Sequence, residues 1–164
     1  MFTLTYGAIV CQLIKELDSL DEVNNQLDKM GYNIGLRLID EFLARSNLGR
    51  CRDIKETAEV ITKVGFKMFF GVTANVANFN PKKQSFLIQL EDNPLIDFVE
   101  LPPQYKDKLS YSNLLCGVIR GALEMVQMKV VCTIKKCPLK GDEITEIKVK
   151  LIEILTTEIP VGDE

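Results

Sequence analysis

The chemically conspicuous stretch of this chain is Gly49-Arg50-Cys51-Arg52. Cysteine reacts as its thiolate, and Cys51 has an arginine on either side with a helix start directly after it, each of which favours the charged form. A thioester acyl donor would meet a nucleophile here, and Arg50 and Arg52 could receive the donor's phosphates. These are the conditions for S-acylation. A surface-loop cysteine without chemical consequence would have the same neighbours, and chemistry alone does not choose between the two.

Other routes to catalysis are narrow. The chain has no histidine, which removes Ser-His and Cys-His pairs and the commonest nitrogen ligand for metals. Cys11, Cys51, Cys116, Cys132 and Cys137 form an odd set without a Cys-x-x-Cys pair, so neither a disulfide framework nor a zinc site is indicated. Carboxylate or lysine chemistry stays open. The acidic residues, however, are spread along element faces where solvation accounts for them. No catalytic residue, metal or diffusible cofactor is therefore expected.

The elements that must position Cys51 follow from the apolar spacing. Ile9, Val10, Leu13, Ile14 and Leu17 mark a first helix over 6–17, and Val23, Leu27, Met30, Ile34, Leu38 and Phe42 mark a long second one. Gly31 and Gly35 inside it cost about 1 kcal/mol each relative to alanine, which calls for close approach of another helix. Asp53 and Glu56 form a start signal for a third helix that ends at Gly71. That helix is apolar over much of its circumference, so it is buried on more than one side. Its small residues Ala58 and Gly65, seven apart, leave a trough. Tight helix packing normally uses such space, but a palmitoyl chain on Cys51 could also occupy it, with a gain of roughly 10 kcal/mol at about 0.8 kcal/mol per methylene.

The second half reads differently. The stretch 73–84 is expected to be a loop, with strands at 86–90 and 96–101 pairing as a hairpin around Asn93-Pro94. Leu115, Val118, Ile119, Ala122 and Val126 mark a fourth helix over 112–128, on which Gly117 and Gly121 form a second close-contact patch. Alternation at Val130-Cys132-Ile134 and Ile147-Val149-Leu151 gives two half-buried antiparallel strands. The order makes an α+β chain: one domain over 1–164, with a helical half at 3–71 and a sheet plus helix at 84–155. The residues 160–164 read as a polar tail. With 23 acidic against 20 basic residues, the net charge opposes broad nucleic-acid binding. The apolar runs are too short for a bilayer and no signal peptide is evident, so a cytoplasmic location is expected.

Several words occur together in one order: Phe2-Thr3-Leu4-Thr5-Tyr6-Gly7-Ala8, Leu27-Asp28-Lys29-Met30-Gly31, Phe42 through Cys51, Asn93-Pro94-Leu95 through Pro102, and Tyr111 through Met125. Over nearly its whole length the chain resembles the subunit-three family of the transport protein particle, TRAPP. The resemblance implies a four-stranded antiparallel sheet with helices on one side, behind a long N-terminal helical pair. It implies self-association, or pairing with a related subunit, through the first two helices, for which Val23, Leu27, Met30 and Ile34 are the candidate face.

By the same resemblance the chain would be a non-enzymatic core subunit of a complex that tethers vesicles in ER-to-Golgi transport. That complex would contact vesicle coat and promote nucleotide exchange on a Rab-type GTPase, peripherally at the cis-Golgi and ER membranes. Cys51 matches the family's S-palmitoylated cysteine, whose chain enters a channel in the same subunit. Second and third helices would wall it, with Leu38, Phe42, Ala58, Ile61, Gly65 and Met68 as lining. Two other classes compete: a carrier or sensor that binds free fatty acid reversibly, with Cys51 incidental, and a self-acylating enzyme.

Overall fold

A computed structural model describes residues 2–155; the expected polar tail and the end of the expected domain lie outside the described residues. Helix α1 (Phe2–Glu16) leads into α2 (Leu20–Ser46), whose first turn is capped by Ser19 Oγ accepting the Glu22 amide at 3.2 Å. After a loop, α3 (Ile54–Val60) starts at Asp53, whose carboxylate accepts the Glu56 amide at 2.8 Å, the cap that the sequence signals. A π-turn (Ile61–Gly65) interrupts the rod before α4 (Phe66–Phe70), and Gly71 closes it with a left-handed φ of 69°. The π-turn has a local cause. Thr62 Oγ1 bonds back to the Ala58 carbonyl at 2.9 Å, and the Thr62 carbonyl accepts the Ala74 amide from outside the helix at 3.3 Å.

The sheet is four-stranded and antiparallel, in the order β1 (Asn75–Asn80), β2 (Ser85–Leu90), β4 (Thr145–Ile154), β3 (Met128–Lys136). Its inner face carries Phe86, Ile88, Ile147, Val149 and Val130, all buried under the helices. The hairpin expected of 86–90 and 96–101 does not form. The partner of β2 is β1, inside the stretch read as a loop, so the sheet begins at Asn75 and not at 84. Three asparagines and a bulge, with Asn78 at φ 48°, hide that strand from propensity. The 96–101 stretch is instead a turn held by Asn93. Its amide nitrogen donates to Ser112 Oγ at 2.9 Å and Thr145 Oγ1 at 3.1 Å, and its oxygen accepts the Leu95 amide.

After a short α5 (Pro103–Lys106), helix α6 (Asn113–Met125) crosses α2 at backbone contact. A β-carbon on Gly31 would overlap the Leu114 carbonyl oxygen, and one on Gly35 would overlap that of Val118. Reciprocally, Gly117 lies on the Asp28 carbonyl and Gly121 on that of Tyr32. The two glycine patches are thus one another's partners. Arg120 locks the crossing beside them, with Nη2 2.6 Å from Asp28 Oδ2 and the guanidinium 4.4 Å from the Tyr32 ring centroid. No helix among the described residues is long and apolar enough to cross a membrane.

Candidate functional site

A cavity of about 430 Å³ opens between the C-terminal half of α2, the α3–π–α4 rod and α6. Leu38, Ile39 and Phe42 form one wall, Ile61, Gly65 and Phe66 another, and Val118, Ile119 and Ala122 a third. The loop between α2 and α3 lies on its rim, where Leu48, Gly49, Arg50 and Cys51 contribute. The walls are apolar almost throughout, as an alkyl chain requires and a charged substrate does not.

Each wall follows from local sequence. The stripe Leu38-Phe42 continues the helical spacing of α2 beyond its crossing with α6, so these side chains have left the core and face open space. Gly65 sits inside the π-turn, and a β-carbon there would meet nothing nearer than the Val60 carbonyl at 3.9 Å. The missing side chain leaves room in the cavity.

Of the residues expected to line a channel, Leu38, Phe42, Ile61 and Gly65 are on the wall, whereas Ala58 and Met68 are not. Ala58 is fully buried in the core beneath the sheet. Met68 is displaced by the π-turn. One extra residue per turn shifts the register, so the apolar face continues at Phe66, Phe69 and Phe70. The wall from α6 and the start of β3, including Leu115, Val118, Ala122 and Met128, was absent from the sequence-based list. One signal pointed to it: the polar residues of α6, Asn113, Arg120 and Glu124, fall on a single stripe, so its apolar face is wider than the sheet alone covers.

Cys51 is half-buried on the rim, with Arg50 beside it, while Arg52 is exposed and off the wall. The Arg52 amide donates to Glu56 Oε2 at 2.7 Å, which fixes the loop onto the first turn of α3. The other thiols are set apart by position. Cys11 is exposed, and Cys116 is buried, its thiol pushed up to about 12 by burial and then by the Asp28 charge. Burial likewise raises the Cys132 and Cys137 thiols.

The face expected to pair with another subunit is redistributed. Val23 and Leu27 are fully buried inside this chain, so neither has surface to offer a partner. Met30 packs partly against the same core, and Ile34 is exposed. Sequence spacing could not separate them, because all four share one stripe and only the packing of segments distant in the chain decides which part is covered.

Residues 2–150 match the family described as transport protein particle (TRAPP) component. Trafficking protein particle complex subunit 3 of Dictyostelium discoideum is 64% identical over 162 residues, spanning 99% of this chain and 87% of that protein. The corresponding subunit BET3 of Saccharomyces cerevisiae is 49% identical over 165 residues, spanning 100% and 86%. A crystal structure of trafficking protein particle complex subunit 3 from Naegleria fowleri, covalently bound to palmitic acid, superposes with a TM-score of 0.91 at 52% identity, covering 94% of this chain and 95% of that one.

Proposed function

Because this chain belongs to the TRAPP component family, we propose that it serves as a core subunit whose fold is completed by a palmitoyl chain on Cys51, held in the cavity between α2, α4 and α6. The observation that carries this reading is the position of Cys51 on the rim of an apolar cavity, and the palmitate held covalently by the Naegleria relative supports it. Acylation joins Cys51 Sγ to the acyl carbonyl carbon as the donor's carbon–sulfur bond breaks. The donor leaves as a thiol, carrying the proton that Cys51 gives up. Arg50 and Arg52 steer the donor's phosphates, and the chain enters the cavity with a gain of roughly 10 kcal/mol.

A chain buried this way serves packing and not membrane anchorage. The assembled complex then provides vesicle tethering in ER-to-Golgi traffic, contact with vesicle coat, and nucleotide exchange on a Rab-type GTPase, peripherally at the cis-Golgi and ER. Association with itself or related subunits uses the exposed part of the first two helices, where Phe2, Leu4, Ile34 and Leu43 are exposed apolar positions.

Intact mass of protein from its own organism, before and after hydroxylamine, tests the acyl reading. The expected result is a hydroxylamine-sensitive palmitoyl increment that is absent from Cys51→Ser. A fatty acid that co-purifies with Cys51→Ser as well, and leaves on denaturation, identifies the reversible carrier instead. Turnover of acyl donor beyond one equivalent per chain identifies a self-acylating enzyme.

A further inference from the structure

We propose that Phe98 is the anchor of a docking loop for a protein partner, another subunit of the assembly, whose surface offers an apolar pocket edged by lysine or arginine. Phe98 is fully exposed, the most exposed of the chain's large apolar side chains among the described residues. It also holds a left-handed backbone, φ 60°, which an aromatic residue adopts only when its surroundings impose it.

Those surroundings are rigid. Leu95 is fully buried, and Ile96, Val99 and Leu101 pack against the core on either side of Phe98. The Val99 amide bonds to the Ile96 carbonyl at 3.1 Å, and the Ile96 amide to the Asn93 carbonyl at 3.2 Å. Thr3 Oγ1 ties the same loop to α1 by donating to the Pro94 carbonyl at 2.6 Å. Four apolar neighbours turn inward while the phenyl ring is held outward. An aromatic group pre-positioned in this way loses little conformational freedom on binding, which is what a binding anchor needs.

Charge selects the kind of partner. Glu91, Asp92, Asp97 and Glu100 surround Phe98 in the sequence, all are exposed, and no ion pair among the described residues engages them. A basic-rimmed protein pocket satisfies them. An anionic membrane would be repelled by the same carboxylates. The proposal does not rest on Cys51 and holds equally for Cys51→Ser.

The test uses the complex reconstituted from this chain and the other TRAPP subunits of its organism, with Phe98→p-benzoylphenylalanine as photo-crosslinker. The expected product joins position 98 to a subunit peptide in which an apolar residue neighbours lysine or arginine. Phe98→Ala then weakens that subunit pair on the order of 30-fold, and Asp97→Lys slows its association more at low salt than at high. The free chain supplies a control of opposite sign, since Phe98→Gly relieves the backbone and leaves thermal stability unchanged or raised. Absence of any protein cross-link, a cross-link to lipid when anionic vesicles are present, unaltered pairing of Phe98→Ala, or destabilisation of the free chain by Phe98→Gly overturns the proposal.

Discussion

Gly35 of α2 and Val118 of α6 meet backbone to backbone: the site of a β-carbon on Gly35 is occupied by the Val118 carbonyl oxygen. Three more glycines repeat this contact along the crossing. Close approach here also brings Leu38 and Phe42 on α2 opposite Ala122 on α6, across the cavity. The crossing therefore sets the width of the candidate site as well as the core beneath it.

Gly35→Ala should destabilise the chain even though alanine favours a helix by about 1 kcal/mol. The backbones must separate, and a net loss of roughly 1–3 kcal/mol is expected. Denaturant unfolding at equilibrium measures it as a lower midpoint with an unchanged slope.

Gly65→Leu should act in the opposite sense on the free protein. Its side chain enters cavity space, where beyond the adjoining helix backbone a β-carbon would meet only the Val60 carbonyl, at 3.9 Å. Thermal stability is expected to hold or to rise by up to about 1 kcal/mol, while the palmitoyl increment in the intact mass is lost. Retention of the full increment would remove the cavity from the acyl reading.

Asp28 and Arg120 are each only about one-third exposed, at 30% and 31% for their side chains. Their coupling should lie between that of surface and buried pairs, at about 1–2 kcal/mol. A double-mutant cycle of Asp28→Asn and Arg120→Gln measures it. High salt should weaken it only in part, because the pair is partly shielded from water.

Stability should fall in alkali. Cys116 has an ordinary value of 9.0 and a folded value of about 12, so the unfolded chain loses this proton first as pH rises. The contribution is intact below about 9 and lost progressively between about 9 and about 12. Tyr6 and Cys132, also raised by burial, act in the same direction. Unfolding midpoints across this window should decline for the wild type, and less steeply for Cys116→Ala.

The sequence by itself determined the features that depend on near neighbours. The 3.6-residue spacing of α2 and α6, the Asp53 cap and the Gly71 stop are local, and so is the chemistry of a cysteine between two arginines. The need of Gly31, Gly35, Gly117 and Gly121 for a close neighbour was also local, because a glycine pair inside a helix is unfavourable without one. Tertiary structure decided which partners met. It joined those glycine pairs, covered Val23 and Leu27 while leaving Ile34 exposed, and gave the cavity its third wall from α6. It also overrode propensity twice: ladder hydrogen bonds recruited an asparagine-rich segment as β1, and the side chain of Asn93 held apolar 95–101 as a turn. In each case the deciding energy came from groups far apart in the chain, whose contact no local pattern encodes.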